Sequence, residues 1–376
     1  MSRNQHILEA HRVVNNPYGF IRAGLDERQR YIGYNCLFVP EEILHAAGCI
    51  PVRILGKHTG MDISEKYIPS QCCEFVKNII SSFDKGIFSF LEAAAFGFCC
   101  DTMQVASSIL KERRLVEIFQ LNIPTKFGGE SARNYLIKEI DRFRKSVEER
   151  LNITIREEAL SESTRIYREN DRLLRQLKDF RNTFSESLSA SDFLAVLSMG
   201  YFIPKETHNA YLKELLKVLT TKDGDFNKPA GSRKKRIILS GFLNNDIDLV
   251  RRIENLGVSI VDDDLCEGSR YMSACDESES SPVQVVADRL LSRYCPVKNG
   301  FETDYSERLI SRYRENAAQG IVIFLYRFCD PQYMEYAMAK PNLADKDIPT
   351  LVLEPVIDGD NFKQIETRLE AFIESL

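Results

Sequence analysis

The feature that most narrows the fold is an alternation of short apolar runs with helix-period segments, which occurs once in each half of the chain. In the first half, residues 31–34 read as a strand. Pro40-Glu41-Glu42 then opens a helix, with proline at an early helical position and acids in the positive first turn. That helix ends near Gly48, and residues 51–55 give the next strand. Residues 72–83 carry Phe75, Ile79, Ile80 and Phe83 at helical spacing and stop at Gly86. Residues 92–98 read as a buried strand despite their alanines, 101–113 as a helix and 116–121 as a strand. The pattern returns with strands at 236–242, 258–261, 320–326 and 350–353. Helices at 246–256, 283–294, 306–317 and 361–376 accompany them. Strands alternating with helices imply parallel sheets covered on both faces. The expected class is α/β: two doubly wound, Rossmann-like parallel-sheet units with a helical insert between them.

The middle of the chain differs in character. Residues 130–183 are highly charged, with apolar residues at helical intervals interrupted at Leu151-Asn152 and Thr154. Further helices are expected at 191–199 and 205–219, and 220–236 reads as a linker containing the Arg233-Lys234-Lys235-Arg236 run. The expected division is an N-terminal α/β domain at 1–128, a helical arm at 129–230 that bridges domains or holds a partner, and a C-terminal α/β domain at 231–376.

With 376 residues, two domains are the natural expectation. A hydrophobic content of 44% supports a packed core, and a net charge of −5 gives no global field to attract nucleic acid. The first 25 residues lack the uninterrupted apolar stretch of a secretion signal. The most apolar run, 91–100, is too short to span a bilayer and is followed by Asp101. A cytoplasmic protein with no membrane and no nucleic-acid partner is expected.

Ten cysteines are more than packing requires. In a reducing compartment they are not structural disulfides. Three stand where strands hand over to loops or helices: Cys36, Cys100 and Cys329. In open parallel sheets ligands bind beyond the carboxyl ends of the strands, so cysteines from both halves point at one crevice. Cys72 and Cys73 open a helix, a place that lowers a thiol's pKa. Cys100-Asp101 and Cys329-Asp330 form similar strand-end signatures. Capping explains the aspartates but not the cysteines. Buried filler and zinc are the competing readings. No CxxC pair occurs, and His6, His11, His45, His58 and His208 are scattered, so thiolate ligation of an iron–sulfur cluster fits better than zinc. Cys49, Cys275 and Cys295 read as filler or as neighbours of the ligands.

The segment Ile32-Gly33-Tyr34-Asn35-Cys36-Leu37-Phe38-Val39-Pro40-Glu41-Glu42-Ile43-Leu44-His45-Ala46-Ala47-Gly48 resembles the opening motif of the 2-hydroxyacyl-CoA dehydratase and benzoyl-CoA reductase family. The resemblance continues through Pro51-Val52-Arg53, Cys73, Cys100-Asp101-Thr102 and the run from Asp262 to Tyr271. It closes with Phe328-Cys329-Asp330-Pro331 and Arg368-Leu369-Glu370-Ala371-Phe372. It implies one cubane [4Fe–4S] cluster at the domain crevice, held at the matching positions Cys73, Cys100 and Cys329. Cys36 falls where the family varies, as a fourth ligand or beside an open iron position. The doubled pairs Cys72-Cys73 and Cys99-Cys100 leave open which member ligates.

The activity implied is dehydration of an (R)-2-hydroxyacyl-CoA through a ketyl radical. The resemblance also implies a homologous second subunit and a separate ATP-dependent iron–sulfur activase that injects the electron. The same scaffold runs ATP-dependent benzoyl-CoA ring reduction to a dienoyl-CoA. An electron-relay or structural partner subunit and a double-cubane reductase are further alternatives. No G-x-x-x-x-G-K-[ST] loop or G-x-G-x-x-G turn is present, which suits a recipient of electrons. Arg53, Lys57 and Arg270 are candidate CoA phosphate partners, with ordinary surface charge as the rival reading. Gly128-Gly129 is a helix start that a CoA phosphate would suit, with a simple loop as rival. Glu41 and Glu42 are first-turn acids near the crevice.

Overall fold

The computed structural model describes residues 2–56, 64–184, 187–220, 234–273, 280–299, 304–356 and 361–376. Two helices precede the first sheet. α1 (Arg3–Asn15) begins with a Ser2–Gln5 capping box, and α2 (Pro17–Ala23) with Asn16 as cap and proline at its first position. Then follow β1 (Arg30–Tyr34), α3 (Glu41–Ala46), β2 (Cys49–Arg53), α4 (Glu74–Asp84), β3 (Ala93–Gly97), α5 (Asp101–Glu112) and β4 (Glu117–Leu121). The four strands are parallel in the order β2-β1-β3-β4. β3 shows why burial overrides propensity. Ala94 and Phe96 face one apolar core while Ala93 and Ala95 face another, so the segment sits between two helix layers.

The charged middle forms α6 (Gly129–Leu151), α7 (Glu157–Thr183), α8 (Ala190–Met199) and α9 (Lys205–Thr220). Left-handed Asn152 ends α6, at the interruption read in the sequence. α6 buries Leu136, Ile140, Phe143 and Val147 in the core beneath β4, one helical stripe. α8 is buried almost all round and wedges between α1 on one side and the second sheet's β6 and α10 on the other. These helices are packed between the sheets, and burial of their apolar stripes locks the two sheets together.

The second unit comprises β5 (Lys235–Gly241), α10 (Ile247–Asn255), β6 (Val258–Leu265), α11 (Pro282–Leu291), α12 (Pro296–Asn299), α13 (Tyr305–Glu315), β7 (Gly320–Phe324), α14 (Asp330–Asp345), β8 (Thr350–Leu353) and α15 (Phe362–Ser375). Its parallel sheet has the order β6-β5-β7-β8, the same winding as the first. The expected pair of doubly wound units is therefore present. Among the described residues no helix is long and apolar enough to cross a membrane.

Three strands differ from the sequence reading by two residues or more, and β7 is the simplest case, ending at Phe324 rather than at 326. β2 starts two residues earlier and ends at Arg53, because Cys49 and Ile50 pair with Arg30 and Tyr31. β6 runs on to Leu265 through Asp262-Asp263-Asp264, where charge suggests a stop at Val261. Partners make those buried carboxylates tolerable. Asp262 meets Lys178 at 2.7 Å and Arg312 at 2.5 Å. Asp263 accepts from the Ser269 backbone at 2.6 Å and hydroxyl at 2.8 Å. Asp264 meets Arg270 at 2.7 Å and Arg308 at 2.9 Å. Of the linker at 220–236, residues 221–233 lie outside the described residues, and Lys235 and Arg236 already belong to β5.

Candidate metal centre

In each sheet the first and third strands in sequence are neighbours, and the chain winds outward from them in both directions. Such a switch point opens a crevice beyond the carboxyl ends of the strands. The two crevices meet. β1 delivers Cys36, β3 delivers Cys99 and Cys100, β6 delivers Cys266, and the turn after β7 delivers Cys329. With Cys73 and Cys295 these line one cavity of about 120 Å³, whose remaining wall includes Leu37, Phe75, Val76, Met103 and Phe242. The four residues read from the sequence, Cys36, Cys73, Cys100 and Cys329, all reach this cavity.

Three of the cysteines occupy an equivalent local position. Cys73 is the N-cap of α4, Cys100 of α5 and Cys329 of α14, and none of the three side chains makes a capping bond. Asp101 and Asp330 stand one residue further, at the first helical position, so they serve the helix dipole and the cap itself is cysteine. This corrects the sequence reading of the aspartates as caps. Three helix starts thus direct their partial positive charge at one point, which favours thiolates and any anion they hold. The chain turns sharply into the third of them, with Phe328 at φ +60°.

The thiols share protons in two sets. Hydrogen bonding with Cys329 pulls the Cys73 thiol down against its burial, and Cys329, the donor, is pushed up. Cys99 likewise bonds Cys36 and Cys100, lowering both while its own thiol rises. The Arg53 guanidinium adds to the lowering at Cys36. Burial pushes Cys266 up to about 12 and Cys295 to about 11.

The doubled cysteines resolve differently from one another. Cys72 does not line the cavity, whereas Cys99 and Cys100 both do. Strand alternation would send those two to opposite faces. β3 has ended at Gly97, however, and the pair lies in a bend where alternation no longer applies. Cys49 sits at the far end of β2 and fits the filler reading, while Cys295 lines the cavity. Cys275 and Lys57 lie outside the described residues. Cys266 is hidden in the sequence because the aspartates suggest an end of β6 four residues early. With the strand carried to Leu265, the strand-end rule reaches it. Nothing in the sequence marks Cys295.

Of the charged candidates, Arg53 and Arg270 line the cavity, while the two glutamates face buried cations. Arg53 and Arg270 are 3% and 4% exposed, so neither can be a surface partner for a CoA phosphate. Glu42 is buried in an ion pair with Arg289, and Glu41 lies 3.7 Å from Lys205. Gly128 is the N-cap of α6.

Among the described residues, no three His, Cys, Asp or Glu side chains are gathered tightly around one point, as a single zinc ion needs. The thiols are spread around the wall of an apolar cavity. Sulfurs supplied by separate segments suit a polynuclear cluster, whose irons face outward to separate sulfurs. The donor set, all sulfur with no histidine or carboxylate in the lining, fits the same group.

A family model described as 2-hydroxyglutaryl-CoA dehydratase, D-component, matches residues 36–376. Over 366 residues the chain is 22% identical to the (R)-phenyllactyl-CoA dehydratase beta subunit of Clostridium sporogenes, covering 97% of this chain and 96% of that protein. It is 27% identical to the lactoyl-CoA dehydratase subunit beta of Anaerotignum propionicum over 354 residues, 92% of this chain and 91% of that one. A benzoyl-CoA reductase subunit of Thauera aromatica is 23% identical over 361 residues, 93% of this chain and 92% of that one.

Proposed function

The chain belongs to the 2-hydroxyglutaryl-CoA dehydratase D-component family, and from that premise we propose that it is the iron–sulfur subunit of a 2-hydroxyacyl-CoA dehydratase. The reaction would remove water from an (R)-2-hydroxyacyl-CoA by way of a ketyl radical, after one-electron activation by a separate ATP-dependent activase. The observation that carries the reading is the single cavity lined by seven cysteines at the facing strand ends of two sheets.

Cys73, Cys100 and Cys329 are assigned as ligands of a [4Fe–4S] cluster, because each caps a helix start at one cavity and Cys73 and Cys100 are already lowered toward thiolates there. Cys36, lowered by Cys99 and Arg53, lines the same cavity and would be a fourth ligand or stand beside an open iron position. When bound, the cluster supplies a low-potential electron and an iron Lewis acid for a substrate oxygen. The apolar side chains between the thiols exclude water from the metal. None of the nine described cysteines forms a disulfide, which suits a reducing cytoplasm. The relatives are named as beta subunits, and we assign this chain a homologous partner. Phe328 just before Cys329, and Met334 and Met338 on the helix after it, are exposed apolar side chains of the kind such a partner would cover.

The likeness to a benzoyl-CoA reductase subunit favours ring reduction as the second reading. Seven thiols also exceed what one cubane needs, which keeps a double-cubane cluster as the alternative cofactor. Anaerobic purification with the partner subunit, followed by iron and sulfide analysis, separates these. About four irons per chain support the single cubane and about eight the larger cluster. Enoyl-CoA formed from 2-hydroxyacyl-CoA with the activase and ATP supports the dehydratase, and dienoyl-CoA from benzoyl-CoA the reductase. A chain that binds no iron, or that binds zinc in its place, overturns the proposal.

A further inference from the structure

Arg53 is the last residue of β2, at the same carboxyl edge of the sheet that presents the cysteines. Its backbone is fixed on both sides. The N–H donates to the Tyr201 carbonyl at 3.0 Å, and the carbonyl accepts the Tyr18 hydroxyl at 3.0 Å. The guanidinium lies 5.4 Å from the Tyr34 ring centre and 5.9 Å from that of Tyr201. It lines the cysteine cavity, with Nη2 3.9 Å from the Cys266 sulfur.

The residue is 3% exposed, and among the described residues no carboxylate comes within ion-pair distance of it. Its Nε is buried without a hydrogen-bond partner. The groups that act on its charge most strongly are Cys266, Tyr34, Cys36 and Tyr201, two thiols and two phenols. Two other buried arginines are treated differently. Arg289 pairs with Glu42 and Asp171, and Arg270 with Asp264. Burying a guanidinium without a carboxylate is strongly unfavourable unless another anion meets it. Two aromatic faces recover part of that loss, and the open side of the group looks into the cavity.

We propose that Arg53 is the fixed counter-cation of the metal cluster, setting its reduction potential by charge and by N–H contact with sulfur from the Cys36 and Cys266 side. This rests on the iron–sulfur reading above and goes beyond it by assigning a positioning residue that ligates nothing. Reduction adds one electron to the cluster and no proton. A nearby immobile positive charge stabilises that added negative charge, and the low-dielectric wall leaves it little screened. Removing the charge therefore makes the potential more negative.

The test is an anaerobic mediator titration, with dithionite as electron source, of the wild-type complex and its Arg53→Gln and Arg53→Lys variants. The reduced fraction is read by the visible spectrum and by electron paramagnetic resonance. Iron per chain is measured alongside. With unchanged iron, Arg53→Gln should lower the reduced-to-oxidised ratio at a fixed potential about tenfold, a shift of about 59 mV for a one-electron couple. Arg53→Lys, which keeps the charge, should stay within about threefold of wild type on the same scale. An unchanged midpoint in Arg53→Gln with full iron overturns the role of Arg53 and leaves the cluster assignment standing. Absence of iron from the wild-type chain overturns the cluster assignment itself. Should Arg53→Gln fail to fold, Arg53→Lys decides: a tenfold fall in that variant overturns a charge-based role, and a midpoint near wild type supports it.

Discussion

Replacing Arg289 with methionine tests how the two units are held together. Arg289 lies on α11 of the second unit, and its guanidinium is 1% exposed. It donates to Glu42 of α3 in the first unit, and its Nε donates to Asp171 of the middle helix α7 at 2.9 Å. The Ser273 hydroxyl adds a 2.6 Å bond to Asp171, and the Tyr167 ring centre lies 5.5 Å from the guanidinium. Methionine fills much of the volume but leaves two carboxylates buried without their cation. Breaking a buried pair this way costs about 3–5 kcal/mol, a large share of the roughly 5–15 kcal/mol that holds a typical domain folded. At about 1.4 kcal/mol per decade, the unfolded fraction should rise at least about 100-fold. Urea denaturation followed by fluorescence and circular dichroism measures it. The triple variant Glu42→Gln, Asp171→Asn, Arg289→Met removes the orphaned charges and should recover at least about half of the loss, since the cost lies in uncompensated charge. A loss under about 1 kcal/mol, the range of exposed pairs, would refute the reasoning. So would a triple variant no more stable than the single one.

Gly241→Ala should destabilise by about 3 kcal/mol or more in thermal melts, because Gly241 has φ +108° and an added Cβ would sit 2.2 Å from the Phe324 carbonyl oxygen, prising β5 from β7 beside the cavity. A melting point within a degree of wild type would contradict this. His208 donates through Nε2 to the Val196 carbonyl and accepts through Nδ1 from Asn170, and burial holds its pKa at about 3 against an ordinary 6.5. Between those values the unfolded chain binds a proton that the folded chain refuses. Stability should therefore fall as pH drops from 6.5 towards 3, by about 5 kcal/mol at about 1.36 kcal/mol per unit. His208→Gln should flatten that acid limb, and an unaltered pH profile would count against the buried neutral ring. Cys329→Ser or Cys100→Ser should lower the iron content of the anaerobically purified chain, whereas Cys49→Ser, far from the cavity, should leave it unchanged. Equal losses from all three would show that iron content reports folding rather than ligation.

The legible part of this protein is local. Strands β1, β3, β4, β5 and β8 follow from apolar period and from their Gly, Pro and acidic boundaries, and each is legible to within one residue. Cys36, Cys100 and Cys329 are legible because each follows a strand of a parallel sheet, and Cys73 because it opens a helix. Tertiary structure decides the rest. Asp262-Asp263-Asp264 continue β6 only because Lys178, Arg308 and Arg312 arrive from distant helices to neutralise them. That continuation brings Cys266 to the cavity. Cys99 joins Cys100 there because the chain bends after Gly97, a turn that no side-chain pattern announces. Arg53 looks in sequence like any surface cation and becomes a buried one only when β2 is registered against β1 and Tyr201 closes over it. Periodicity is a property of neighbours along the chain, and the sequence by itself determines it. Which charges are buried, and which sulfurs meet, depends on how two sheets far apart in the chain face each other, and only the folded packing decides that.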